Sequence, residues 1–275
     1  LTAQLLARTS AEPGAFIAAV EQMRDWSSQT PASGGLPITA EVARGTEVPM
    51  WILGSTANGA RLAAQLGMPF SVASHFAPFQ YLHALETYRA HFDPDAASAQ
   101  IEKPHTMVGV NLVVAETDEE AQRQFTTLQQ MFLGVVTGQR QKIQPPRDIT
   151  EVAPEHLLQK VDQTLSIKAV GSPATVVSQL EEIVAATKAD ELILTAYHYD
   201  PADRLKSLEL LAEAEEFLRL ATACFELSDE PVDRAWYERL STISGVAADI
   251  AGDRHRRLGM ASRPTLRHHH RRSGE

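Results

Sequence analysis

Apolar residues in this chain fall into short continuous runs and helical stripes, and the order of the two sets its organisation. The first clear run, Met50 to Leu53, ends in a small polar loop from Gly54 to Gly59. A helical stripe follows, with Leu62, Ala63 and Leu66 on one face, and it stops at Gly67, a residue type suited to a left-handed helix exit. A second apolar run, Met68 to Ala73, comes at once. This spacing predicts one βαβ unit with parallel, buried strands.

The pattern continues down the chain. Ala77-Pro78 start a helix carrying Leu82, Leu85 and Tyr88, which ends near His91–Phe92. Met107 to Ala115, rich in Val with Asn111 in its middle, reads as a buried parallel strand. Thr117 with Glu120 makes a capping box before a helix whose buried face is Phe125, Leu128, Met131, Phe132 and Val135. A polar loop over 137–151, a helix around Glu155–Asp162 and a short strand from Leu165 to Val170 follow. Ser172-Pro173 and Asp200-Pro201 place a cap and a proline at two helix starts, with a strand from Glu191 to Ala196 between them. Residues 1–26 read as one or two helices and 27–48 as a loop. The principal strands near 50, 69, 110 and 192 are each followed by a helix. By count alone, four such units suit an open doubly wound sheet.

Composition narrows the classes. At 275 residues and 44% apolar, the chain can bury a large core. The formal charge of −10 is uneven: residues 253–275 carry seven Arg against Asp253 and Glu275, a formal +5, leaving −15 on residues 1–252. An acidic body excludes nucleic acid as the partner expected for it. Residues 216–275 are expected to be a helical extension and a basic, disordered tail, with Arg254 to Arg272 unstructured. One cysteine, Cys224, rules out a disulfide framework, and no run reaches the ~20 apolar residues of a membrane span. A cytoplasmic protein that does not enter membranes is expected. The chain starts at Leu1, which suggests a fragment or a trimmed start. No HxH, CxxC or HExxH pattern supports a metal site, and no Gly-x-Ser-x-Gly elbow supports a serine nucleophile.

Candidate chemistry gathers at the loop after the first strand. Gly54 and Gly59 permit a ligand to approach the backbone, Ser55, Thr56 and Asn58 offer donors, and the first turn of the next helix points its N–H groups the same way. A phosphate is the expected guest. The same residue types also serve ordinary capping, and both readings stand on spacing alone.

The ordered series of motifs resembles the C-terminal half of the luciferase-like flavin-dependent monooxygenases, the bacterial luciferase family. The residues that carry it are Pro-Met-Trp-Ile-Leu-Gly-Ser-Thr from Pro49, Leu-Ala-Ala-Gln-Leu-Gly-Met-Pro-Phe from Leu62, and Ala73-Ser74-His75-Phe76-Ala77-Pro78. Val108 to Ala115, Val170 to Pro173, Ala189 to Ile193 and Arg204 to Ala212 follow in the same order. The resemblance covers residues 1–215 and implies a TIM-type (β/α)8 barrel, here truncated to its last four β/α units. Such a piece leaves two apolar sheet edges, which would distort or pair with a second copy as a homodimer.

The resemblance also implies a function. It is oxidation of a small organic substrate, aldehyde-like, by O2 with reduced FMN supplied by a separate flavin reductase. Gly54, Ser55, Thr56, Asn58 and Gly59 align with the family's flavin-phosphate loop. His75 and Phe76, at the C-terminal end of a strand, face the isoalloxazine and substrate, where His75 is the expected catalytic residue positioning a reacting oxygen. The family's general-base histidine lies on the N-terminal strands, outside this chain, so a piece without activity is one alternative. A deazaflavin (F420)-dependent oxidoreductase of the same superfamily is another. Asn111 is expected to be a satisfied buried amide and Asp200 a helix cap. His198 ends the last strand, and His105, Tyr81 and His83 are expected in surface or edge roles.

Overall fold

The computed structural model describes residues 15–28, 41–46 and 48–214. The expectations for residues 1–14, 29–40 and 216–275 lie outside them. The chain divides into two compact units.

The first unit comprises the chain up to Gly109 together with residues 189–193. It holds helix α1 (Ala15–Ser27), strand β1 (Ile52–Gly54), helix α2 (Ala57–Gln65), strand β2 (Phe70–Val72) and helix α3 (Tyr81–His91). Strand β3 (Thr106–Val114) begins in it, as does β5 (Glu191–Thr195), which pairs with β3. β1 and β2 are parallel, with Ile52 opposite Phe70, and β2 and β3 are parallel, with Val72 opposite Val108. The core is formed by Ala60, Ala63 and Ala64 of α2, Phe70 and Val72 of β2, Ala84, Leu85 and Tyr88 of α3, and Val108, all but fully removed from water. Burying a large apolar side chain contributes about 1.5–3 kcal/mol, so Phe70 and Leu85 stabilise this core more than its alanines do.

The α2 exit is a Schellman closure. Gly67 has φ +60°, its N–H donates to the Ala64 carbonyl at 3.1 Å, and the Met68 N–H donates to that of Ala63 at 3.1 Å. A Cβ at Gly67 would lie 2.7 Å from the Asp93 carbonyl oxygen, so this exit needs glycine on two counts. From there the chain enters β2 directly. Tyr88 ties α3 to the same region: its phenol donates to the Met68 carbonyl at 2.9 Å and accepts the His105 N–H at 3.1 Å.

The second unit comprises residues 110–188 and those from 194 on. It holds the rest of β3, helices α4 (Asp118–Val136) and α5 (Glu155–Thr164), strand β4 (Lys168–Gly171), and helices α6 (Pro173–Thr187) and α7 (Pro201–Glu213). β3 and β4 are parallel, with Asn111 opposite Lys168 and Val114 opposite Gly171. Its core joins Val113, Phe125, Leu128, Phe132, Val161, Leu165 and Val170. The Thr117 hydroxyl accepts the Glu120 N–H at 3.2 Å, as the capping box predicts.

Four expectations need correction. Val135 is 46% exposed and does not belong to the buried face of α4, because in the last turn it is Leu133 and Val136 that pack on the core. Leu82, carried by the helix after Ala77-Pro78, is likewise exposed. The segment from Pro78 opens as a 3-10 turn to Gln80 before α3 begins. Ser172 stands at the N-cap of α6, but its side chain makes no capping bond. The Asp118 carboxylate, from the start of α4, accepts the Ser172 N–H at 2.6 Å and the Thr175 hydroxyl at 3.2 Å. These bonds hold the Asp118 carboxyl below its ordinary range.

Candidate functional site at the C-terminal ends of the first two strands

Strand β1 ends at Gly54 and α2 begins at Ala57, so Ser55 and Thr56 form the whole connection. Short parallel strands force this: β1 must hand over to a helix that packs back on β2. Gly54 and Gly59 face each other across the loop, a Cβ on either lying 3.5 Å from the other's Cα, and the Phe70 ring closes the space beside Gly54. Their first use is therefore close packing of the strand end against the helix start. The Thr56 hydroxyl accepts the Gly59 N–H at 3.4 Å, which makes Thr56 the N-cap. Its oxygen keeps a proton to donate outward. Thr56 and Asn58 are exposed, and Ser55 is half-buried.

Charge distinguishes this helix start from those of α4, α6 and α7. α4 opens with Asp118, Glu119 and Glu120, and α7 is capped by Asp200, whose carboxylate accepts the Ala202 N–H at 2.8 Å. The N–H at the start of α6 is taken by Asp118. α2 has no acidic residue in its first turn. Its positive dipole end and first N–H groups face a loop of neutral donors, a set that suits a phosphate.

β2 runs into a turn at Ser74–Phe76. Ser74 is fully buried and donates its hydroxyl to the Gly109 carbonyl at 2.6 Å. The His75 ring is half-buried, stands edge-on to Phe76 with ring centres 4.7 Å apart, and lies directly over Gly109 of β3. Desolvation holds its pKa below the ordinary 6.5, so it is neutral at pH 7. Phe76 is 47% exposed.

The other candidates separate. Asn111 is buried and satisfied: its amide donates to the Ile167 carbonyl at 3.4 Å and its oxygen accepts from the Thr195 hydroxyl at 3.1 Å. Asp200 is a cap. His198, in the second unit, is buried past the end of β5, with its pKa lowered chiefly by desolvation. His105 departs from its expected edge role. Its Nε2 lies 2.7 Å from the Glu191 carboxylate, Glu191 is buried, and Trp51 stands edge-on to the ring at 5.4 Å. Gly109 and Ser74 were not among the residues expected at the site. A lone glycine inside a Val-rich strand is the signal that marks a close approach. Among the described residues, no group of three or more His, Cys, Asp or Glu could hold a metal ion. No helix among them is long and apolar enough to cross a membrane.

Comparison with known proteins decides the family. The model of the luciferase-like monooxygenases matches residues 18–191, which include the loop, His75 and β3. The chain belongs to the luciferase-like monooxygenase family. A luciferase-like monooxygenase of Escherichia coli strain K12 is 38% identical over 175 residues, covering 63% of this chain and 51% of that protein. The uncharacterised protein YvbT of Bacillus subtilis strain 168 is 36% identical over 216 residues, covering 78% and 62% respectively. The chain thus spans about half to three-fifths of the length of these relatives. Among solved structures, apo-MsnO8 aligns with a TM-score of 0.59 at 29% identity, over 79% of this chain and 65% of that one. A second model, that of 2-oxoadipate dioxygenase/decarboxylase, matches residues 174–258.

Proposed function

We propose that this chain is the flavin-holding part of an oxidoreductase that oxidises a small organic substrate, aldehyde-like, with reduced FMN and O2. The observation that carries the reading is the start of α2: a short loop of neutral donors with no carboxylate, inside the region matched by the luciferase-like monooxygenase model. In this reading the Ser55 and Thr56 hydroxyls, the Asn58 side chain and the first N–H groups of α2 hold the flavin phosphate. Gly54 and Gly59 keep the loop tight enough for those donors to converge. The bound flavin supplies the chemistry that activates oxygen. His75 is the catalytic residue, a neutral imidazole that positions a reacting oxygen without adding charge, while Phe76 excludes water beside it. A separate reductase delivers the reduced flavin.

Two further assignments belong to this reading. Residues 1–215 make up the barrel portion and 216–275 an extension. The exposed Leu53 and Ile193, at 66% and 45%, favour a homodimer, which a sedimentation experiment at twice the 30.1 kDa chain mass would reveal.

Asn58→Asp tests the site. An acid in the first turn favours the helix but opposes a phosphate beside it. FMN binding is expected to weaken about tenfold or more, equivalent to about 1.4 kcal/mol, with no loss of melting temperature. Riboflavin, which lacks the phosphate, should bind wild type and variant alike. Equal FMN affinity in both proteins, or no binding by either, would overturn the reading. A deazaflavin cofactor also carries phosphate, and oxygen uptake separates the two: the FMN reading requires substrate-dependent O2 consumption with reduced FMN.

A further inference from the structure

We propose that Gly109 is a positioning residue for His75: by omitting a side chain, β3 provides the seat on which the imidazole lies, and this seat fixes where the ring faces at the end of β2. The inference rests on the reading of His75 as the flavin-side group. Three observations meet at this glycine. A Cβ built on Gly109 would overlap His75 Nδ1 outright and lie 3.1 and 3.2 Å from Cε1 and Cγ. The preceding residue, Ser74, donates its buried hydroxyl to the Gly109 carbonyl at 2.6 Å. Val72 lies opposite Val108 in the β2–β3 register, so the turn leaving β2 folds straight across the next residue of β3.

The clash cannot be relieved by the strand. Gly109 is flanked by Val108 and Val110, both fully buried, and its own carbonyl is held by Ser74. Any side chain at 109 therefore moves the ring. The half-buried environment beside Phe76 that keeps the imidazole neutral is lost with that movement. The glycine thus controls both the direction and the protonation of a group 34 positions earlier in the chain.

The test uses the full chain without flavin. Histidine C2 proton resonances are followed against pH in wild type and Gly109→Ala, with His75→Gln identifying the His75 signal. His75 is expected to titrate below the ordinary 6.5 in wild type and to return towards 6.5 in Gly109→Ala. An unchanged titration in the variant would overturn the proposal. Thermal melts of Gly109→Ala, His75→Ala and the double variant give a second readout, informative even where the single glycine variant fails to fold. The seat requires strong coupling, so that Gly109→Ala lowers the melting temperature with the ring present and is near neutral once the ring is gone. Additive losses would overturn it. Neither readout involves FMN, so a failure to bind FMN would remove the proposed function and leave the Gly109–His75 relation standing.

Discussion

Ser74 shows how much one hydroxyl holds at this site. It is buried, and its 2.6 Å bond satisfies the carbonyl of the glycine that seats His75. Ser74→Ala would leave that carbonyl without its side-chain donor. The expected loss is about 1–2 kcal/mol, read as a lower urea midpoint with an unchanged slope. His105 and Glu191 make a comparable pair at the other end of β3, where the imidazole lies 2.7 Å from a buried carboxylate. These are polar side chains placed in a core, and each is held by a partner far away in sequence.

Among the elements, the turn after α2 is the most constrained. Gly67→Ala is expected to cost about 2 kcal/mol or more, since a left-handed backbone and a contact with the Asp93 carbonyl both oppose a Cβ. Thermal denaturation would show it. Thr117→Ala, which removes one ordinary cap from α4, should cost about 1 kcal/mol in the same assay. Both features were legible in the sequence because they are local: glycine after a helical stripe, threonine three residues before glutamate. The order of strands and helices was legible for the same reason, and so was the short loop from Gly54 to Gly59 that joins β1 to α2, whose parts lie within six residues. What the sequence concealed is long-range. The true cap of α6 comes from Asp118, 54 residues before Ser172. The seat of His75 is a glycine on another strand. Local periodicity carries no information about either, and only strand register brings them together.

At the scale of the whole molecule, the chain is stable between two pH limits set by buried groups. His75 and His198 have pKa values held below 6.5 by desolvation. As pH falls through 6.5 the unfolded chain takes up these protons first, so stability is full above 6.5 and declines below it. Urea midpoints should drop between pH 7.5 and 5.5, and His198→Gln should reduce the drop. The alkaline limit belongs to Tyr88. Its phenol is pushed up to about 12 by burial, so above pH 10 the unfolded chain releases its proton first and stability falls as pH rises towards 12. Phenolate absorbs near-ultraviolet light that phenol does not, which turns this buried bridge between Met68 and His105 into a built-in optical gauge. In an alkaline titration a phenol open to water changes absorbance immediately on mixing. The Tyr88 contribution should arrive later, at the rate at which its surroundings open, so one absorbance trace times the unfolding of the first unit without any added dye.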